Sequence, residues 1–382
     1  MPTLFFRESV VEEIPPYQMN PAQMNRIAFF ISPHGFGHAA RAASVMEALA
    51  EMDPSIRFDI FTTVPAWFFD DNLCGLFTYH NLETDIGLVQ RTPFEVDIQQ
   101  TLRTLNQLYP YDASRVTEIS QHLHHLKSKL VICDIAPLGI LCARETGIRS
   151  VLVENFTWDW IYQTYADGNA QLMAHIDYLT RLYNMADVHI QTEPVCNSKS
   201  GDLLAGPASR KIKLSKTSVR KKLCLPSNHR LILITTGGIP QKHNFIDELY
   251  DRQDIHFVIP CGCPAAKINR NLILLPHHSD FFHPDLVNAS DAVIGKAGYS
   301  TIAEIYHTGV PFGYIPATDN PESEKLVDFI QSEMSGSEIS VSEFQAGNWI
   351  NGLNDLVNMP RIDRNDPNGA YQIAEYVLSL LT

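Results

Sequence analysis

The segment S-P-H-G-F-G-H-A-A-R, residues 32–41, combines two histidines with two glycines between a short apolar stretch and a helical pattern. His38 falls at the expected start of the helix, where the positive end of the helix dipole disfavours a protonated imidazole. A neutral imidazole is what a general base needs near pH 7. The segment by itself leaves two interpretations open: His38 is a base, or it is only a polar residue of the first helical turn.

The same segment fits a loose form of the dinucleotide-binding fingerprint, G-x-G-x-x-A, through Gly35, Gly37 and Ala40. That pattern alone is weak evidence. A NAD site also needs an acid at the end of the next strand, about 20 residues on. Asp59 lies near that distance, but an apolar strand continues beyond it. The sequence therefore does not favour NAD binding.

A second segment that could bind a ligand is S-D-A-V-I-G-K-A-G-Y-S-T-I-A-E, residues 290–304. Its pattern predicts a strand, a tight glycine turn that includes Gly298, and a helix. A helix start is a ready anion site, and Lys296 adds a positive charge beside it. The predicted helix opens with the backbone amides of Tyr299, Ser300 and Thr301.

Glu304, in the same segment, has two interpretations. Thr301-x-x-Glu304 matches a capping box, in which the glutamate only closes the helix start. Alternatively, the Glu304 carboxylate accepts two hydroxyl hydrogen bonds from a ribose. Because a phosphate site needs no carboxylate beside it, a bound nucleotide explains the combination of residues better than a cap does.

Alternating strands and helices must position these residues. Short strands rich in Ile, Val and Phe, apolar on both faces, are separated by helical stretches, which is typical of parallel sheets covered by helices on both sides. Ligands bind at the carboxyl ends of such strands. The predicted strands are Ile27–Ser32, Phe58–Thr62, Leu130–Cys133, Val151–Glu154, Val188–Gln191, Leu231–Thr235, His256–Ile259, Leu272–Leu275, Ala292–Ile294 and Phe312–Ile315.

These elements predict an α/β chain of two doubly wound Rossmann-like domains that face a central cleft. Residues 1–24 show no period and are expected to be a poorly ordered tail, followed by the first domain over 25–206. Pro194–Lys216, rich in Gly, Ser and Lys, is the predicted linker. The second domain covers 207–359. Residues 360–382 would form a terminal helix that packs back on the first domain.

The composition argues against several classes of protein. The 382 residues carry 29 Lys+Arg and 43 Asp+Glu, a net charge of −14, which disfavours binding to nucleic acid or to an anionic membrane surface. Seven cysteines without zinc-site spacing indicate a reducing compartment. No apolar run approaches the ~18 residues of a membrane span, and no signal peptide is evident. We therefore expect a cytoplasmic protein without a transmembrane segment.

Several motifs together resemble one enzyme family. G-K-A-G-Y-S-T at 295–301 and N-F-T-W-D at 155–159 are the most specific, and D-I-G-L-V-Q at 85–90 and C-D-I-A-P-L at 133–138 agree with them. They resemble the GT-B glycosyltransferases, a group that includes the peptidoglycan N-acetylglucosaminyltransferase and the glycosyltransferase-like half of plant L-arabinokinase. The resemblance covers residues 25–335. It implies the GT-B fold, with the active site between two Rossmann-like domains.

The resemblance also implies roles for individual residues. His38 matches the histidine of the family's acceptor loop, and Glu304 matches the acid that binds the nucleotide ribose. Glu322 falls where the family contacts the donor sugar, although the transferases carry glutamine there. Together with neighbouring strand-end residues, the predicted donor site comprises Gly237, Gly238, His277, Lys296, Gly298, Ser300, Thr301, Glu304 and Glu322.

Residues that follow other predicted strands are further candidates. Asp134 would either orient His38 or cap the next helix. His277 would touch the base or diphosphate of a nucleotide, or else be an exposed loop residue. Trp158 and Asp159 would either line the acceptor side or be a packed helix start. The predicted acceptor side comprises His34, Gly35, Gly37, Asn155, Trp158 and Asp159.

These expectations describe a glycosyltransferase that moves a hexosyl or N-acetylhexosaminyl group from a nucleoside diphosphate sugar, preferably a UDP-sugar, to an unidentified acceptor hydroxyl, with inversion. A base removes the acceptor proton, and the helix start stabilises the departing diphosphate. No metal or cofactor is expected beyond the nucleotide sugar as co-substrate. A nucleotide-sugar-binding module without turnover and a GT-B-type sugar-nucleotide epimerase are the alternatives, and the lack of a sugar-kinase phosphate loop argues against a kinase.

Overall fold

The computed structural model describes residues 25–237, 243–260 and 262–381. The predicted tail over 1–24 and Gly238 of the predicted donor site lie outside the described residues. Within the described residues, no helix combines the length and the apolar character needed to cross a membrane.

The first half of the chain forms a parallel sheet of seven strands. Along the chain the strands are β1 (Arg26–Ile31), β2 (Arg57–Thr62), β3 (Phe77–Asn81), β4 (Gln90–Thr92), β5 (Glu95–Val96), β6 (Leu130–Asp134), β7 (Arg149–Glu154), β8 (Val188–Thr192) and β9 (Leu203–Ala205). The order across the sheet is β3-β2-β1-β6-β7-β8-β9, and β4 and β5 form a separate antiparallel hairpin.

Helices cover both faces of this sheet, as the continuous apolar strands predict. The alternation is visible on β1, where Ala28 and Phe30 pack into one core cluster while Ile27 and Phe29 pack into another on the opposite face. The helices of this half are α1 (Gly37–Met52), α2 (Trp67–Leu73), α3 (Ile98–Leu108), α4 (Ala113–Leu126), α5 (Pro137–Thr146), α6 (Trp158–Gln163) and α7 (Ala170–Tyr183).

The second half repeats this plan with a second sheet of seven strands. The strands are β10 (Arg230–Thr235), β11 (Ile255–Ile259), β12 (Lys267–Asn269), β13 (Leu272–Leu274), β14 (Ala292–Lys296), β15 (Phe312–Ile315) and β16 (Gly336–Glu338). The order is β12-β13-β11-β10-β14-β15-β16, and among these described strands only β12 runs antiparallel to its neighbour. The central pair β10 and β14 ends at the cleft, beside the end of the first sheet.

Helices again surround the second sheet, and the last helix returns to the first half. The helices are α8 (Lys216–Lys222), α9 (Ile246–Leu249), α10 (His283–Ala289), α11 (Tyr299–Thr308), α12 (Pro321–Glu333), α13 (Val341–Ala346), a 3₁₀ helix (Asn348–Gly352), α14 (Leu353–Val357) and α15 (Gly369–Ser379). Ala370, Ile373 and Val377 of α15 belong to the same apolar cluster as the alanines of α1. The end of the chain therefore ties the two halves together a second time, beside the segment after β9.

Every strand predicted from the sequence is present, but polar strands escape the prediction. β3, β12 and β16 contain no fully buried side chain, because strands at the edge of a sheet keep a solvent-exposed side. The predicted linker also contains a strand, since Leu203–Ala205 pairs with β8 as the last strand of the first sheet. The connection between the halves is therefore shorter than the sequence suggests.

Candidate functional site

A cavity lies between the two halves, where the carboxyl ends of both sheets meet. The turns after β1 and β10 approach it with Gly35 and Gly237, whose φ angles of +67° and +72° suit glycine. A Cβ on Gly35 would lie 3.9 Å from the carbonyl oxygen of Gly237. A Cβ on Gly37 would lie 3.9 Å from Ser300 Oγ. The two glycine turns therefore face each other at side-chain distance.

His38 and Asp134 form the polar centre of the first wall. His38 lies in the first turn of α1 and Asp134 ends β6, a neighbour of β1, so the sheet brings them together from 96 residues apart. His38 Nδ1 lies 2.9 Å from Asp134 Oδ1. A carboxylate can only accept, so Nδ1 carries the proton and Nε2 is left to accept one. His38 lines the cavity, and this arrangement suits a general base.

Arg41, one turn further along α1, holds the other side of the same carboxylate. Its Nε donates to Asp134 Oδ2 at 2.8 Å and its Nη2 to Oδ1 at 2.6 Å. Nη1 donates to Asn155 Oδ1 at 2.6 Å, and the guanidinium lies over the Tyr299 ring of the second half at 4.7 Å. Burial acts to raise the pKa of Asp134, but Arg41 and His38 outweigh it and hold that pKa below its usual value.

His34 occupies the other end of the first glycine turn and explains one of the motifs. A Cβ on Gly87 of D-I-G-L-V-Q would lie only 2.5 Å from His34 Nδ1, so only glycine leaves room for the imidazole. Burial, together with the charges of Lys296 and His38, lowers the pKa of His34 to about 3. His34 is therefore a neutral cavity-wall residue at physiological pH.

The second wall is the start of α11. Gly298 is the N-cap and has no side chain to occupy the helix start, so the amides of Tyr299, Ser300 and Thr301 open the helix. Gly298, Ser300 and Thr301 line the cavity, as does Lys296 at the end of β14. Burial lowers the pKa of the Lys296 ammonium, whereas Glu322 acts to raise it. Free helix amides beside a cation form the arrangement that binds a phosphate.

Glu304 does not cap this helix. Thr301 is the third helical residue rather than the N-cap, so the capping-box interpretation is wrong. Glu304 instead accepts two hydrogen bonds from Arg210, at 2.8 and 3.2 Å, and contacts His283 Nδ1 at 2.7 Å. Burial acts to raise the pKa of Glu304, but Arg210 and His283 lower it below the usual value. Arg210 and His283 line the cavity, and the carboxylate lies behind them.

Glu322 connects the two walls. It lies in the first turn of α12 and lines the cavity, and Asn155 Nδ2 donates to its Oε1 at 3.2 Å across the cleft. Burial raises the pKa of Glu322, with Lys296 and the Asn155 hydrogen bond opposing the shift. Glu324, two residues on, is exposed and pairs with Lys325. Only the first of the two glutamates therefore faces the cleft.

His277 is part of an aromatic group at the end of the cavity. Its ring centroid lies 4.9 Å from that of Phe36 and 5.7 Å from that of Trp67, both from the first half. Phe68 stacks on Phe36 at 4.9 Å. Burial lowers the pKa of His277. The His277 side chain thus contacts the first half of the chain and also lines the cavity.

Three comparisons place this geometry among known proteins. No protein-family model matches the chain. L-arabinokinase of Arabidopsis thaliana is 26% identical over 357 residues, which cover 92% of this chain and 34% of that protein. The UDP-N-acetylglucosamine–N-acetylmuramyl-(pentapeptide) pyrophosphoryl-undecaprenol N-acetylglucosamine transferase of Thermotoga petrophila is 34% identical over 156 residues, 38% of this chain and 45% of the enzyme. The chain therefore aligns with a third to a half of each relative.

Solved structures decide the fold. CalG4, the calicheamicin glycosyltransferase, matches with a TM-score of 0.62 at 14% identity over 94% of this chain and 98% of its own. The chain has the GT-B fold. The fold class and the resemblance that the sequence motifs indicate are both confirmed.

Two residues of the predicted acceptor side lie away from the GT-B cleft. Trp158 is 1% exposed and donates from Nε1 to Asp85 Oδ2 at 2.9 Å. Asp159 is buried and accepts a hydrogen bond from Thr180 Oγ1 at 2.7 Å. Both belong to a packed helix start, the alternative interpretation. Trp158 still supports the site, because its ring contacts that of His38 from behind, with the ring centroids 6.0 Å apart.

The structure adds residues that sequence reasoning missed. The spacing of His38 and Arg41 puts both side chains on one face of α1. This spacing could have predicted from the sequence that Arg41 lies beside His38. Arg210 left none, because it falls among the linker cations, where a charged residue is normally solvated. His283 follows a predicted strand by eight residues and is placed only by the turn into α10.

Other candidate sites are structural. Asp59, the acid of the NAD interpretation, is buried in the middle of β2 and pairs with Arg26 and His80. His80 in turn contacts His122 of α4. Among the residues that the structure describes, no group of three His, Cys, Asp or Glu side chains is placed to hold a metal ion.

Proposed function

We propose that the chain is a glycosyltransferase that moves a hexosyl or N-acetylhexosaminyl group from a nucleoside diphosphate sugar to an acceptor hydroxyl with inversion. The observation that carries this proposal is the cavity itself: His38, oriented by Asp134, forms one wall, and the free N-terminus of α11 with Lys296 forms the other. A base and an anion site on opposite walls are the two groups that such a transfer needs.

The reaction follows from that placement. The acceptor oxygen attacks the anomeric carbon while His38 Nε2 takes the hydroxyl proton. The bond between the anomeric carbon and the phosphate oxygen breaks, and its electron pair leaves with the diphosphate. The amides of Ser300 and Thr301 and the Lys296 ammonium stabilise that charge. Attack from one wall and departure toward the other place the two oxygens on opposite faces of the sugar, so the configuration inverts.

The nucleotide would lie along the second half. Arg210 and His283 offer donors to a diphosphate or ribose, with Glu304 behind them holding both side chains. For the Glu304 carboxylate to accept a hydrogen bond from a ribose hydroxyl, the His283 side chain would have to move away from it. UDP is the preferred nucleotide in this proposal because the Thermotoga relative is named for a UDP-sugar. Glu322 would meet the donor sugar from the end of the cleft.

The first test identifies the nucleotide and the transfer. UDP, TDP and GDP are compared by the rise in melting temperature that each produces, and we expect the largest rise with UDP. UDP release is then measured from UDP-hexoses and UDP-N-acetylhexosamines with a panel of sugar, lipid and aglycone hydroxyls. Release that depends on an acceptor supports transfer. Conversion of the donor without any acceptor would instead identify an epimerase.

One observation favours a second candidate, a nucleotide-sugar-binding module without turnover. The relative that aligns over most of this chain carries a kinase name, and this chain covers only 34% of it. The same assay separates the two candidates, because a module binds UDP and releases none from any donor and acceptor pair. For such a module, His38→Ala should leave the affinity for UDP unchanged, and there would be no rate of UDP release for the substitution to lower.

A further inference from the structure

Arg41 is the most enclosed charged side chain next to the proposed base, and none of the proposed reaction steps uses it. Its side chain is 1% exposed, and its three guanidinium nitrogens donate hydrogen bonds to the Asp134 carboxylate and to the Asn155 amide oxygen. A guanidinium that binds a carboxylate through two nitrogens fixes the plane of that carboxylate. Arg41 therefore determines which Asp134 oxygen faces His38.

The contacts of His38 Nδ1 show why this orientation matters. Asp134 Oδ1 lies 2.9 Å from Nδ1, and Arg41 Nη2 lies 3.3 Å from the same atom. If Nδ1 lacked a proton, it could accept from Arg41, but its lone pair would then crowd the carboxylate. The shorter contact requires a proton on Nδ1. Rotation of an unclamped carboxylate would remove that requirement and allow the tautomer in which Nε2 already carries a proton and cannot accept one from a hydroxyl.

Arg41 also changes the electrostatics around the imidazole. An isolated buried carboxylate next to a histidine stabilises the imidazolium, which is already protonated and useless as a base. Arg41 cancels that negative charge while leaving the hydrogen bond in place. Among the described residues, the other charged or titratable groups that interact with His38 are His34 from its own turn and Glu322 from the second half, and Lys296 lies near both of these. His34 is neutral at physiological pH, and the other two have opposite charges when ionised.

We propose that Arg41 is a positioning residue for proton transfer, which holds His38 in the Nδ1–H tautomer and offsets the charge of Asp134. The proposal rests on the proposed role of His38 as the base. The proposal adds to the role of His38, because it assigns a function to Arg41, three residues further along the helix. It also links the base to the donor wall, since the Arg41 guanidinium lies over the Tyr299 ring at the start of α11.

The test observes His38 directly and needs no substrate. The protein is labelled with ¹⁵N-histidine, and the His38 ring signals are identified by their loss in His38→Gln. The parent should show a single Nδ1–H tautomer. In Arg41→Gln we expect the ring to stay protonated to a higher pH than in the parent, because the Asp134 charge is no longer offset. The control is Arg26→Gln, which removes an arginine from the comparable pair with buried Asp59 and should leave the His38 signals unchanged.

A folded Arg41→Gln protein with the tautomer and the protonation range of the parent would overturn the proposal. If Arg41→Gln does not fold, Arg41→Lys decides, because lysine keeps the charge but not the two-nitrogen contact. We then expect His38 signals from both tautomers, and a single Nδ1–H tautomer would refute the orienting role. In the UDP-release assay, the acid limb of the rate profile should move with the ring titration in Arg41→Gln. A parent without turnover would defeat the proposed function while the ring signals still decide the role of Arg41.

Discussion

The same three residue types meet in the cleft and at the outer part of the first sheet, with different consequences. In the cleft, Asp134 is held between Arg41 and His38, and Glu304 is held between Arg210 and His283. Away from the cavity, Asp59 is held between Arg26 and His80 in the same manner. Arginine, carboxylate and histidine therefore do not by themselves mark a site.

Two differences separate these clusters. The first is the place of the second ring nitrogen: His38 and His283 line the cavity, where His283 Nε2 lies 3.4 Å from Thr235 Oγ1, whereas the other nitrogen of His80 contacts His122 away from the cavity. The second is burial of the arginine, whose side chain is 1% exposed at Arg41 and 28% exposed at Arg26. Because opposite charges interact more strongly away from water, Arg41 holds its carboxylate more strongly than Arg26 does.

The largest expected contrast is between His38→Gln and His80→Gln. General-base contributions are typically ~10²–10⁴-fold, so His38→Gln should lower the rate of acceptor-dependent UDP release by that factor. His80→Gln should leave it within about threefold of the parent. UDP should raise the melting temperature of all three proteins equally, since neither histidine holds the nucleotide in the proposed arrangement. A His38→Gln protein that keeps a third of the parent rate removes His38 from the mechanism.

A smaller contrast is expected between Glu304→Ala and Asp59→Ala. Losing the carboxylate frees Arg210 and His283 from their positions on the cavity wall, so UDP affinity should fall roughly ten- to a hundredfold, equivalent to about 1.4–2.7 kcal/mol. UDP at 100 times the parent dissociation constant stabilises the parent by about 2.7 kcal/mol and should stabilise Glu304→Ala much less. The measurement is the melting temperature with and without UDP, supported by calorimetric titration.

Asp59→Ala is the matched control for that measurement. It removes a buried carboxylate that also contacts an arginine and a histidine, so it should lower the melting temperature without changing the gain from UDP. Glu304→Gln separates charge from size, because the amide keeps the volume but not the negative charge that holds Arg210. Equal gains from UDP in the parent and in Glu304→Ala would mean that the nucleotide lies elsewhere in the cleft.

Most of the fold was open to prediction because the central strands of both sheets are parallel and buried on two faces, which leaves continuous apolar strands such as β1 and β14 in the sequence. Glycines shortly after two of these strands also predicted the turns that face each other across the cavity. Contacts between distant side chains were not accessible in this way. Glu304 could be read as a cap until Gly298 proved to be the N-cap, and Arg210 looked like a solvated linker residue until the fold placed it against Glu304.

The smallest effect concerns Glu322, a cleft carboxylate that contacts no arginine among the described residues. Burial raises its pKa, which reverses the sign found for Asp134 and Glu304. A carboxyl group with a raised pKa in the folded state holds its proton more tightly there than in the unfolded chain. Its contribution to stability is therefore present below the unfolded value of about 4.3 and is lost as the pH rises through the folded value.

Glu322→Gln keeps an acceptor for the Asn155 amide and removes the titration. The melting temperature of Glu322→Gln relative to the parent should therefore increase as the pH rises from about 4, near the unfolded value, to neutral, on the order of 1 °C because the side chain is only half-buried. Glu324→Gln on the same helix is the control, since that side chain is exposed and its substitution should give a difference that does not vary with pH. If Glu322→Gln behaves like this control, Glu322 is ionised without cost in the folded protein. Contact with an arginine would then not explain how the carboxylates of this cleft differ in protonation.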